Sequence, residues 1–598
     1  MSEKKERKKN SIFASSKYLS RYIGEYRKAT TLTPLFTAGE VFMEILLPFI
    51  TAKLIDQGIE ASNMANVWKY GLLMAGCAFI SLWCGIQSGR YASTASAGFA
   101  ANLRKALYAK IQTFSFANID KFSTAGLVTR LTTDVTNVQN AFQMIIRIAV
   151  RTPLMLIMSL VMSLSISPSL STVFLWALAA LLLALAILVR GAMKTFKETF
   201  DEYDNLNERV EENVSASRVV KAYVREDYET DKFKARSHKL RSLFEKAEGL
   251  MIMNFPIMNA VIYGCIIALS WMGAHQVVGG TLTTGELTSL FTYVMQALMS
   301  MMMLSMVFVM ITMSSASADR ISEVLEEVPD IQNPASPVTD VKDGSVDFDH
   351  VSFSYKSGTG DYVLKDIDLH INSGETIGII GGTGSGKTTL VSLISRLYDA
   401  TEGKVKVGGR DVKEYDLEAL RKNVAVVLQK NVLFSGSVYD NLRWGKEDAS
   451  DEECQRAAQA ACADEFLQKS PDGYNTHVEQ GGANFSGGQK QRLCIARALM
   501  EKPRILILDD STSAVDTATE KKIRESLKHE IPDATKIIIA QRVSSVESAD
   551  RILVLDNGEI NAFDTPERLL ETNEIYQEIY QTQKNAGADF DQPAKEAA

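Results

Sequence analysis

Residues 381–389, GGTGSGKTT, decide the fold of the second half of this chain. They match the pattern G-x-x-x-x-G-K-[ST], with an apolar run at 376–380 before them and a largely apolar run at 390–397 after them. A strand, a glycine-rich loop and a helix in this order are typical of a P-loop, in which backbone N–H groups and the positive end of the helix bind a phosphate chain. The sequence therefore predicts a site for the phosphates of a nucleotide.

Two side chains of this loop carry specific expectations. Lys387 is predicted to reach the β- and γ-phosphates, and the Thr388 hydroxyl is predicted to hold Mg²⁺. The other residues predicted to surround the phosphates are Gly382, Thr383, Gly384, Ser385, Gly386 and Thr389. The alternative is a glycine-rich turn that binds nothing, and the flanking strand and helix argue against it.

Length and composition limit the possible classes of protein. A chain of 598 residues is expected to form about two to four domains. The net charge of −8 gives no indication of a nucleic-acid partner. The six cysteines are scattered and include no C-x-x-C pair, which argues against a disulfide framework and against a zinc site. Long apolar runs fill the first half, whereas the second half has the composition of a soluble α/β domain.

Six stretches of the first half have the roughly twenty mainly apolar residues that a membrane-spanning helix needs. Their predicted bounds are 32–56, 68–88, 141–166, 169–190, 250–273 and 285–312. Basic residues concentrate in 4–9, 90–140 and 190–248, whereas 57–67 and 274–284 contain no Lys or Arg. Basic residues near span ends mark the cytoplasmic side. We therefore expect a multi-pass protein of the plasma membrane, embedded in the lipid bilayer with both termini in the cytoplasm.

Two of the predicted spans have unusual composition. Glu40 and Glu44 interrupt the first, so either they face a cavity or partner helix, or the span begins after Glu44 and they lie at the interface. The sixth contains Met295, Met299, Met301, Met302, Met303, Met306 and Met310, with Met313 directly after it. Flexible methionines suit a surface for varied apolar ligands, although packing against neighbouring helices is the simpler explanation.

The remaining segments complete the predicted organisation. The charged segments 90–140 and 190–248 are rich in helix formers and are expected to extend the membrane helices into the cytosol, each with a short break, at 115–126 and 214–220. We call these breaks the first and second elbows. We predict a transmembrane domain over 1–325, a Pro-containing linker over 326–344, a soluble domain over 345–583 and a disordered tail over 584–598.

Two residues around the P-loop are candidates for nucleotide contacts. Tyr355, upstream of the loop, has an aromatic ring that is suited to stack on adenine, although aromatic residues are also common in ordinary strands. Gln429 ends an apolar strand and is expected to complete the Mg²⁺ shell or to contact the attacking water.

Two motifs downstream add further candidates. NFSGGQKQR, at 484–492, contains Ser486, Gly487, Gly488 and Gln489, and it precedes a helix predicted over 490–500 that would direct a second set of N–H groups at phosphate. The apolar strand 505–510 ends in two carboxylates, of which Asp509 is predicted to bind Mg²⁺ through water. Asp516 lies in the S-A-V-D sequence that follows.

This order of motifs resembles that of an ATP-binding cassette (ABC) transporter, specifically an exporter-type half-transporter. The resemblance covers nearly the whole chain, and the SGGQ signature at 486–489 is specific to that family. It implies a six-helix transmembrane domain of the type IV exporter fold, fused to an α/β P-loop nucleotide-binding domain. It also implies that two such chains pair and that each ATP lies between the P-loop of one and the signature of the other. The two elbows resemble the family's coupling helices.

The chain departs from the family pattern within one ATP site. Asp510 stands where the family has the Glu that acts as general base, and Gln541 stands where it has the switch His. Aspartate is one methylene shorter than glutamate, and glutamine cannot carry a positive charge or shuttle a proton. Gln480, beside Glu479, also replaces a Glu expected near the signature. The signature itself is intact, with only Phe485 replacing a preceding Leu. These departures predict a site that binds ATP and hardly hydrolyses it.

An intact signature beside altered catalytic residues favours a heterodimer. A homologous half-transporter with Glu and His at the equivalent positions would then hold the hydrolytic site, and a small amphipathic or hydrophobic drug, lipid or peptide would be exported. Two alternatives are a homodimer with slow Asp510-assisted hydrolysis and an ATP-gated channel or regulator on the same scaffold. The low charge content of the spans disfavours an ion channel. An importer is disfavoured because its membrane and ATPase parts are usually separate chains.

Overall fold

The computed structural model describes residues 17–355, 361–512 and 514–590, and the chain forms two compact units. The first, here called the helical unit, spans residues 1–112 and 125–327, and the second, the α/β unit, spans 113–124 and 328–598. The basic residues 4–9, Ser513 and residues 591–598 lie outside the described residues, as does the side chain of Met313.

Long helices make up the helical unit. Their bounds are α1 Arg27–Leu54, α2 Met64–Gln112, α4 Thr124–Thr129, α5 Val135–Ile166, α6 Pro168–Ser215, α7 Ser217–Ala222, α8 Glu226–Ile252, α9 Asn254–Val278 and α10 Thr284–Glu326, and a short helix, α3 Phe116–Phe122, belongs to the other unit. A 3₁₀ segment, Ser20–Tyr26, precedes α1, and π-helical turns at Ile55–Glu60 and Arg130–Asp134 follow α1 and precede α5. Helix α1 packs against α2, α5 against α10, and α6 against α8.

Local sequence explains where several of these helices begin. Ser167 has an extended backbone, accepts a hydrogen bond from the Leu170 N–H and is followed by Pro168 at the first helical position, so the Ser-Pro-Ser sequence both ends α5 and starts α6. Thr283 and Glu286 form a capping box at the start of α10. The caps satisfy backbone N–H groups that have no partner inside the helix.

Five helices among the described residues are long and apolar enough to cross a membrane, by length and composition. They are Lys17–Glu60, Met64–Gln112, Thr124–Ile166, Pro256–Val278 and Thr284–Phe308. The predicted fourth span corresponds to α6, whose described apolar part, Pro168–Ala184, is shorter. Five of the six predicted spans therefore coincide with such helices, and the count of six stays a prediction.

The two carboxylates of the first span face a neighbouring helix. Arg151 of α5 donates a hydrogen bond to Glu40, and its Nη2 atom lies 2.8 Å from Glu44 Oε2. Glu40 is buried. Of the two explanations for these residues, the structure supports the one in which they contact a partner helix.

The methionines of α10 divide between core and surface. Met301 is buried in a cluster that includes Leu298 and Val294, and Met302 packs against it. Met299 and Met306 are exposed in the isolated chain. Core packing therefore accounts for some of these methionines, and the exposed ones remain available for an apolar ligand or partner.

Two sheets organise the α/β unit. Its strands are β1 Val346–Phe353, β2 Leu364–Ile371, β3 Thr376–Gly381, β4 Glu402–Val407, β5 Arg410–Asp411, β6 Val424–Val427, β7 Gly436–Ser437, β8 His477–Val478, β9 Ile505–Asp509, β10 Thr535–Ile539, β11 Arg551–Asp556 and β12 Glu559–Asp564. Strands β2-β1-β4-β5 form an antiparallel sheet, β12-β11-β3-β10-β9-β6 form a second sheet that is parallel apart from β12, and β7 pairs with β8.

The helices of this unit follow its strands. They are α11 Lys387–Ile394, α12 Leu417–Asn423, α13 Val438–Arg443, α14 Asp451–Ala460, α15 Asp464–Leu467, α16 Gly487–Leu499, α17 Thr517–Glu530, α18 Pro566–Thr572 and α19 Glu574–Phe590. Helix α16 begins three residues before the predicted start at 490, because Ser486 and Gln489 form a capping box there. Helix α19 continues past Lys584 into the stretch predicted as a disordered tail.

Alternating residues of the parallel strands build a core on each face of the larger sheet. In β9, Leu506 and Leu508 belong to one hydrophobic cluster, whereas Ile505 and Ile507 belong to another. All residues of β9 and β10 are buried. Strands covered on both faces have long apolar runs, as at 505–508 and 537–539, rather than alternating apolar and polar residues.

The first elbow packs within the α/β unit. Its helix α3 starts at Ser115, which caps the helix and also donates a hydrogen bond to Asp330. Asp120 accepts a hydrogen bond from the Tyr398 hydroxyl, with 2.8 Å between the oxygens, and the Phe116 ring lies 6.0 Å from the Tyr398 ring. At the second elbow, α6 ends at Ser215 and the short helix α7 precedes α8.

The ion pair between the buried Asp134 and the half-exposed Arg320 provides a test of the helical unit. Asp134 is 1% exposed, and Arg320 donates to both of its oxygens, with 2.8 Å between Nε and Oδ2. Arg320→Ala leaves a buried carboxylate without its cation and is expected to cost about 3–5 kcal/mol. We expect a clear fall in the melting temperature of the purified protein. Arg241→Ala, which breaks an exposed pair with Glu245, is the control and should cost less than about 1 kcal/mol. Equal effects of the two changes would contradict this.

Candidate nucleotide-binding site

The candidate site lies at the carboxyl edge of the larger sheet. Strand β10 pairs in parallel with β3 on one side and with β9 on the other, and β6 pairs in parallel with β9. The P-loop therefore follows β3 at the same edge at which Asp509 ends β9 and Gln541 follows β10. This edge is where parallel α/β sheets bind ligands. Topology thus brings together residues that are up to 160 positions apart in sequence, taking Gly381 and Gln541 as its limits.

Two glycines of the P-loop have backbone conformations that require glycine or strongly favour it. Gly384 has φ 85° and Gly386 has φ 96°, both in the left-handed region. A Cβ atom on Gly386 would also lie 2.7 Å from Leu364 Cδ2, whereas one on Gly384 would meet nothing within 4 Å. Gly386 therefore fixes the turn into α11, and Gly384 leaves the space above the loop open.

Lys387 is held over the loop by the loop's own carbonyl groups. Its Nζ donates to the Gly381 oxygen at 2.8 Å and to the Gly382 oxygen at 2.7 Å. Burial lowers the pKa of Lys387, and the carboxylates of Asp509 and Asp510 oppose that shift. The ammonium group is thus held on the loop that is predicted to surround the phosphates, where its charge would suit the β- and γ-phosphates.

Thr388 and Asp509 form the candidate Mg²⁺ position. The Thr388 hydroxyl donates to Asp509 Oδ1 at 3.1 Å, and Asp509 is 2% exposed. Burial raises the pKa of Asp509 and the neighbouring Asp510 adds to the rise, while the Thr388 hydrogen bond and the Lys387 charge oppose it. A hydroxyl and a buried carboxylate are oxygen ligands of the kind that Mg²⁺ prefers. These residues therefore fit the ion, whose charge would neutralise phosphate oxygens.

Asp510 contacts both of the glutamines that the sequence singles out. Gln541 Nε2 lies 2.8 Å from Asp510 Oδ2, and Gln429 Nε2 lies 3.5 Å from the same oxygen. Asp510 has φ 47°, an uncommon conformation for a residue with a side chain, and its N–H donates to the Ile539 oxygen of β10. The candidate base, the candidate switch residue and the candidate water-contacting residue thus form one hydrogen-bonded cluster.

Tyr355 lies next to the helix that follows the P-loop. Its hydroxyl is 3.0 Å from the Thr389 hydroxyl, and its ring is 52% exposed. The ring stands perpendicular to that of Tyr398, with 5.2 Å between centroids. An exposed aromatic face beside α11 is consistent with stacking on a base. Tyr398, which joins Tyr355 to Asp120, was missed by sequence reasoning because no motif or spacing marks it.

The signature residues form the start of α16. The Ser486 N–H donates to Gln489 Oε1 at 2.9 Å, and the Gln489 N–H donates to Ser486 Oγ at 3.3 Å. The Gln489 side chain is therefore engaged in capping. A Cβ on Gly488 would lie 2.7 Å from the Ala514 oxygen, whereas one on Gly487 would make an ordinary 3.5 Å contact with Ala514 Cβ. The signature is thus packed against the segment that follows Asp510.

Asp516 and Gln480 lie in other local structures. Asp516 caps α17, its Oδ1 accepting from the Thr519 N–H at 2.9 Å, and this hydrogen bond lowers the pKa of the carboxyl group. Gln480 opens a short 3₁₀ turn, Gln480–Gly482, near the signature. The structure gives neither residue a contact with the P-loop, so a role in binding nucleotide stays a prediction for Asp516.

The raised pKa of Asp509 generates a test that separates stability from binding. A raised pKa means that the charged carboxylate destabilises the folded state above that pKa. Asp509→Asn should therefore raise the melting temperature of the nucleotide-free protein at pH 8, and the gain should shrink as the pH falls and Asp509 is protonated. The same variant should weaken stabilisation by ATP with Mg²⁺ by about 10–100-fold in apparent affinity.

Asp440→Asn serves as the control for that experiment. The Ser437 N–H lowers the pKa of Asp440, so its charge stabilises the fold and its replacement should not raise the melting temperature at pH 8. Asp440 lies in the capping box of α13 and outside the candidate site. If Asp509→Asn lowers the melting temperature at pH 8, the assignment of a destabilising buried charge is wrong.

Comparison with known proteins identifies the family to which the chain is similar. Residues 31–314 match the model of the ABC transporter transmembrane region, and residues 364–513 match the ABC transporter model. The chain is 35% identical to the uncharacterized ABC transporter ATP-binding protein YfiB of Bacillus subtilis over 562 residues, 94% of this chain and 97% of YfiB. It is also 35% identical over 570 residues to Rv1273c of Mycobacterium tuberculosis, described in the same words, covering 94% of this chain and 97% of that protein.

These similarities extend over both units. They agree with the site geometry, in which a P-loop, a buried strand-end carboxylate and a signature helix occur in one α/β unit that follows several apolar helices. The chain therefore belongs to the ABC transporter family, as a multi-pass membrane protein with a fused nucleotide-binding domain of the ABC ATPase class.

Proposed function

We propose that this chain is one half of a heterodimeric ABC exporter and that its own P-loop site binds ATP but hardly hydrolyses it. A homologous chain would supply the signature that closes this site. The signature of this chain, Ser486 to Gln489, would in turn complete the hydrolytic site of the partner. The observation that carries the proposal is the contact between Asp510 and Gln541 in one site, combined with an intact signature in the same chain.

The geometry around Asp510 supports weak hydrolysis. A general base has to accept a proton from the attacking water through a free, correctly placed oxygen. Asp510 Oδ2 instead accepts from the Gln541 amide at 2.8 Å and faces the Gln429 amide at 3.5 Å. The shorter side chain also holds the carboxylate one methylene farther back than a glutamate would. Both effects act against activation of water.

The residues that would bind the nucleotide, unlike those at 510 and 541, match the family pattern. Lys387 is anchored over the loop, and Thr388 and Asp509 supply oxygen ligands at the edge of the sheet. These groups would bind and orient the triphosphate and its Mg²⁺, and the Gln541 amide would donate a hydrogen bond to the terminal phosphate. The proposed site therefore retains its affinity for ATP, while the candidate proton acceptor, Asp510, is engaged by the Gln541 amide.

The proposed transport direction and topology rest on the helical unit and the family. We propose six spans, with α6 supplying the fourth, and both termini in the cytoplasm of a bacterial cell. Methionines exposed on α10 and other apolar side chains would line a path for an amphipathic or hydrophobic drug, lipid or peptide. ATP binding would favour the outward-open state, and hydrolysis in the partner's site would reset it.

The heterodimer makes opposite predictions for two variants of this chain. In a complex with the partner, Gly487→Asp should abolish most ATP hydrolysis, because it places a negative charge in the signature that serves the active site. Asp510→Asn should change the rate less than about twofold, because it alters the weak site. Steady-state ATPase of the purified pair measures both, and the lone chain should be nearly inactive.

The homodimer gives a different pattern in the same assay. There, both variants should lower hydrolysis by about 10²–10⁴-fold, since every site would need Asp510 and this signature. Brisk hydrolysis by the lone chain, abolished by Asp510→Asn, would replace the proposed heterodimer by that alternative. Gly487 is suited to the test because a side chain there meets only an ordinary contact in the structure.

The hydrogen bond between Tyr398 and Asp120 is proposed to connect the ATP site to the first elbow. Tyr398→Phe removes it, and ATP binding and basal hydrolysis should stay within about twofold because neither residue contacts the phosphate site. Substrate transport in vesicles, and any stimulation of hydrolysis by substrate, should fall several-fold.

The control for this prediction is Tyr362→Phe, which removes a hydrogen bond of similar type, 2.7 Å long, to Glu402 elsewhere in the same unit. It should leave transport per ATP hydrolysed unchanged. Equal transport by Tyr398→Phe and wild type would show that this contact does not take part in coupling.

A further inference from the structure

A second site lies in the helical unit, where α1, α2 and α5 meet around Glu40. Arg151 interacts with two carboxylates there, and the two are not equivalent. Both oxygens of Glu44 accept from Arg151 Nη2, at 2.9 and 2.8 Å. Glu40 Oε1 accepts from Arg151 Nη1, but Glu40 Oε2 is buried and has no hydrogen-bond partner among the described residues. Arg151 thus binds two carboxylates and leaves Glu40 Oε2 without a hydrogen-bond donor among the described residues.

This arrangement is costly without a further ligand. Glu40, Glu44 and Arg151 together carry a net charge of −1. The Glu40 side chain is 9% exposed, and those of Glu44 and Arg151 are 25% and 27% exposed. Uncompensated charge in an apolar helix bundle is unfavourable and marks a functional site by default. The unsatisfied oxygen therefore calls for a hydrogen-bond donor, preferably a cationic one.

Glu40 lines a cavity of about 640 Å³. Its charged lining residues are Glu40, Arg90, Arg147 and Glu44, whose two oxygens both bind Arg151, and its apolar ones include Leu47, Leu82 and Ile86. Neither arginine side chain makes a hydrogen bond or ion pair with a described residue. The cavity thus offers an acceptor, two free cations and an apolar wall.

Two glycines of α2 let the charged side chains of the neighbouring helices lie close to this helix. A Cβ on Gly85 would lie 3.3 Å from Glu40 Cδ and Oε1, and one on Gly89 would lie 3.5 Å from Arg147 Nη1. Residues four apart lie on the same face of a helix, so Glu40 and Arg147 face neighbouring positions of one groove, about one helical turn apart. That separation matches a small headgroup with one positive and one negative end.

We infer that this cavity binds the head of a zwitterionic amphiphile, with its ammonium group on Glu40 and its phosphate or carboxylate on Arg147 and Arg90. The alkyl chain would lie along Leu47, Leu82 and Ile86. Because a lone cation would meet two arginines and a lone anion would meet the unsatisfied carboxylate, a ligand with both charges complements the site best. The inference rests on the proposed export function and narrows its substrate class.

Binding to the purified full-length complex in a neutral maltoside detergent tests this directly. The probes are a lysophosphatidylethanolamine, a lysophosphatidylglycerol of equal chain length, which lacks the ammonium group, and a primary dodecylammonium salt, which keeps the N–H donors but lacks the anion. A long-chain α-amino acid, 2-aminotetradecanoic acid, carries a carboxylate instead of the phosphate and distinguishes the two anionic groups. We expect the zwitterions to bind about tenfold or more tightly than either singly charged probe.

Variants of the cavity residues identify the site. Glu40→Gln should lower affinity for lysophosphatidylethanolamine to that for lysophosphatidylglycerol. Arg147→Gln should lower it to the level of the cationic probe, and it breaks no ion pair or hydrogen bond with a described residue, so folding is preserved. Glu44→Gln is the matched comparison: it removes the same charge from the same arginine but leaves Glu40 Oε2 in place, and it should alter affinity by less than about threefold.

Each outcome decides the matter. Equal binding of zwitterionic and singly charged probes by the wild type, or an effect of Glu44→Gln as large as that of Glu40→Gln, would overturn the inference. ATP binding and hydrolysis by the same samples are measured in parallel. Intact ATPase without selective binding would reject this site and leave the proposed function standing, whereas selective binding without transport of any probe would reject export and leave the site.

Discussion

Parallel pairing of β3, β10 and β9 is the constraint on which the ATP site depends. Ile537 of β10 is in register with Ile377 of β3 and with Ile507 of β9, and all three side chains are buried. This register sets the end of each strand at a common edge, so the P-loop, Asp509 and Gln541 meet without any direct sequence relation. Burial of the isoleucine and leucine side chains on both faces provides the stabilisation, and the site uses that rigidity to keep Lys387 and Asp509 in place.

Buried carboxylates occur in both units, and their partners distinguish structure from function. Asp134 receives two hydrogen bonds from Arg320, which compensates its charge and joins α5 to α10. Among the described residues, the only hydrogen-bond donor to the Asp509 carboxylate is the neutral Thr388 hydroxyl, and burial raises the pKa of Asp509. Glu40 lies between these cases, with one oxygen bound and one free. Incomplete compensation of a buried charge is the property expected of a site that awaits a cation.

Much of the ATP site could be predicted from sequence, because its motifs are local and their chemistry is specific. The loop at 381–389, the strand ending in Asp509 and the signature all occur in short stretches whose roles follow from backbone geometry. The predicted start of α16 at residue 490 is three residues too late, because the Ser486–Gln489 capping box begins the helix at Gly487. The sequence does not predict that Arg151 pairs with Glu44 and Glu40, because these residues are 107 and 111 positions apart and only tertiary packing joins them. The same holds for Asp120 and Tyr398, which are 278 positions apart.

The contact between Asp510 and Gln541 changes how the two departures from the family pattern should be understood. Two independent substitutions would each weaken hydrolysis separately. Here the Gln541 amide donates to the Asp510 carboxylate, and an amide can hold that position at any pH, whereas a histidine would donate or accept according to its protonation. A glutamate at 510 would add one methylene to the side chain that makes this contact. The pair is therefore complementary as it stands, and such mutual fit is the expected result if selection maintained a site for holding ATP rather than for cleaving it.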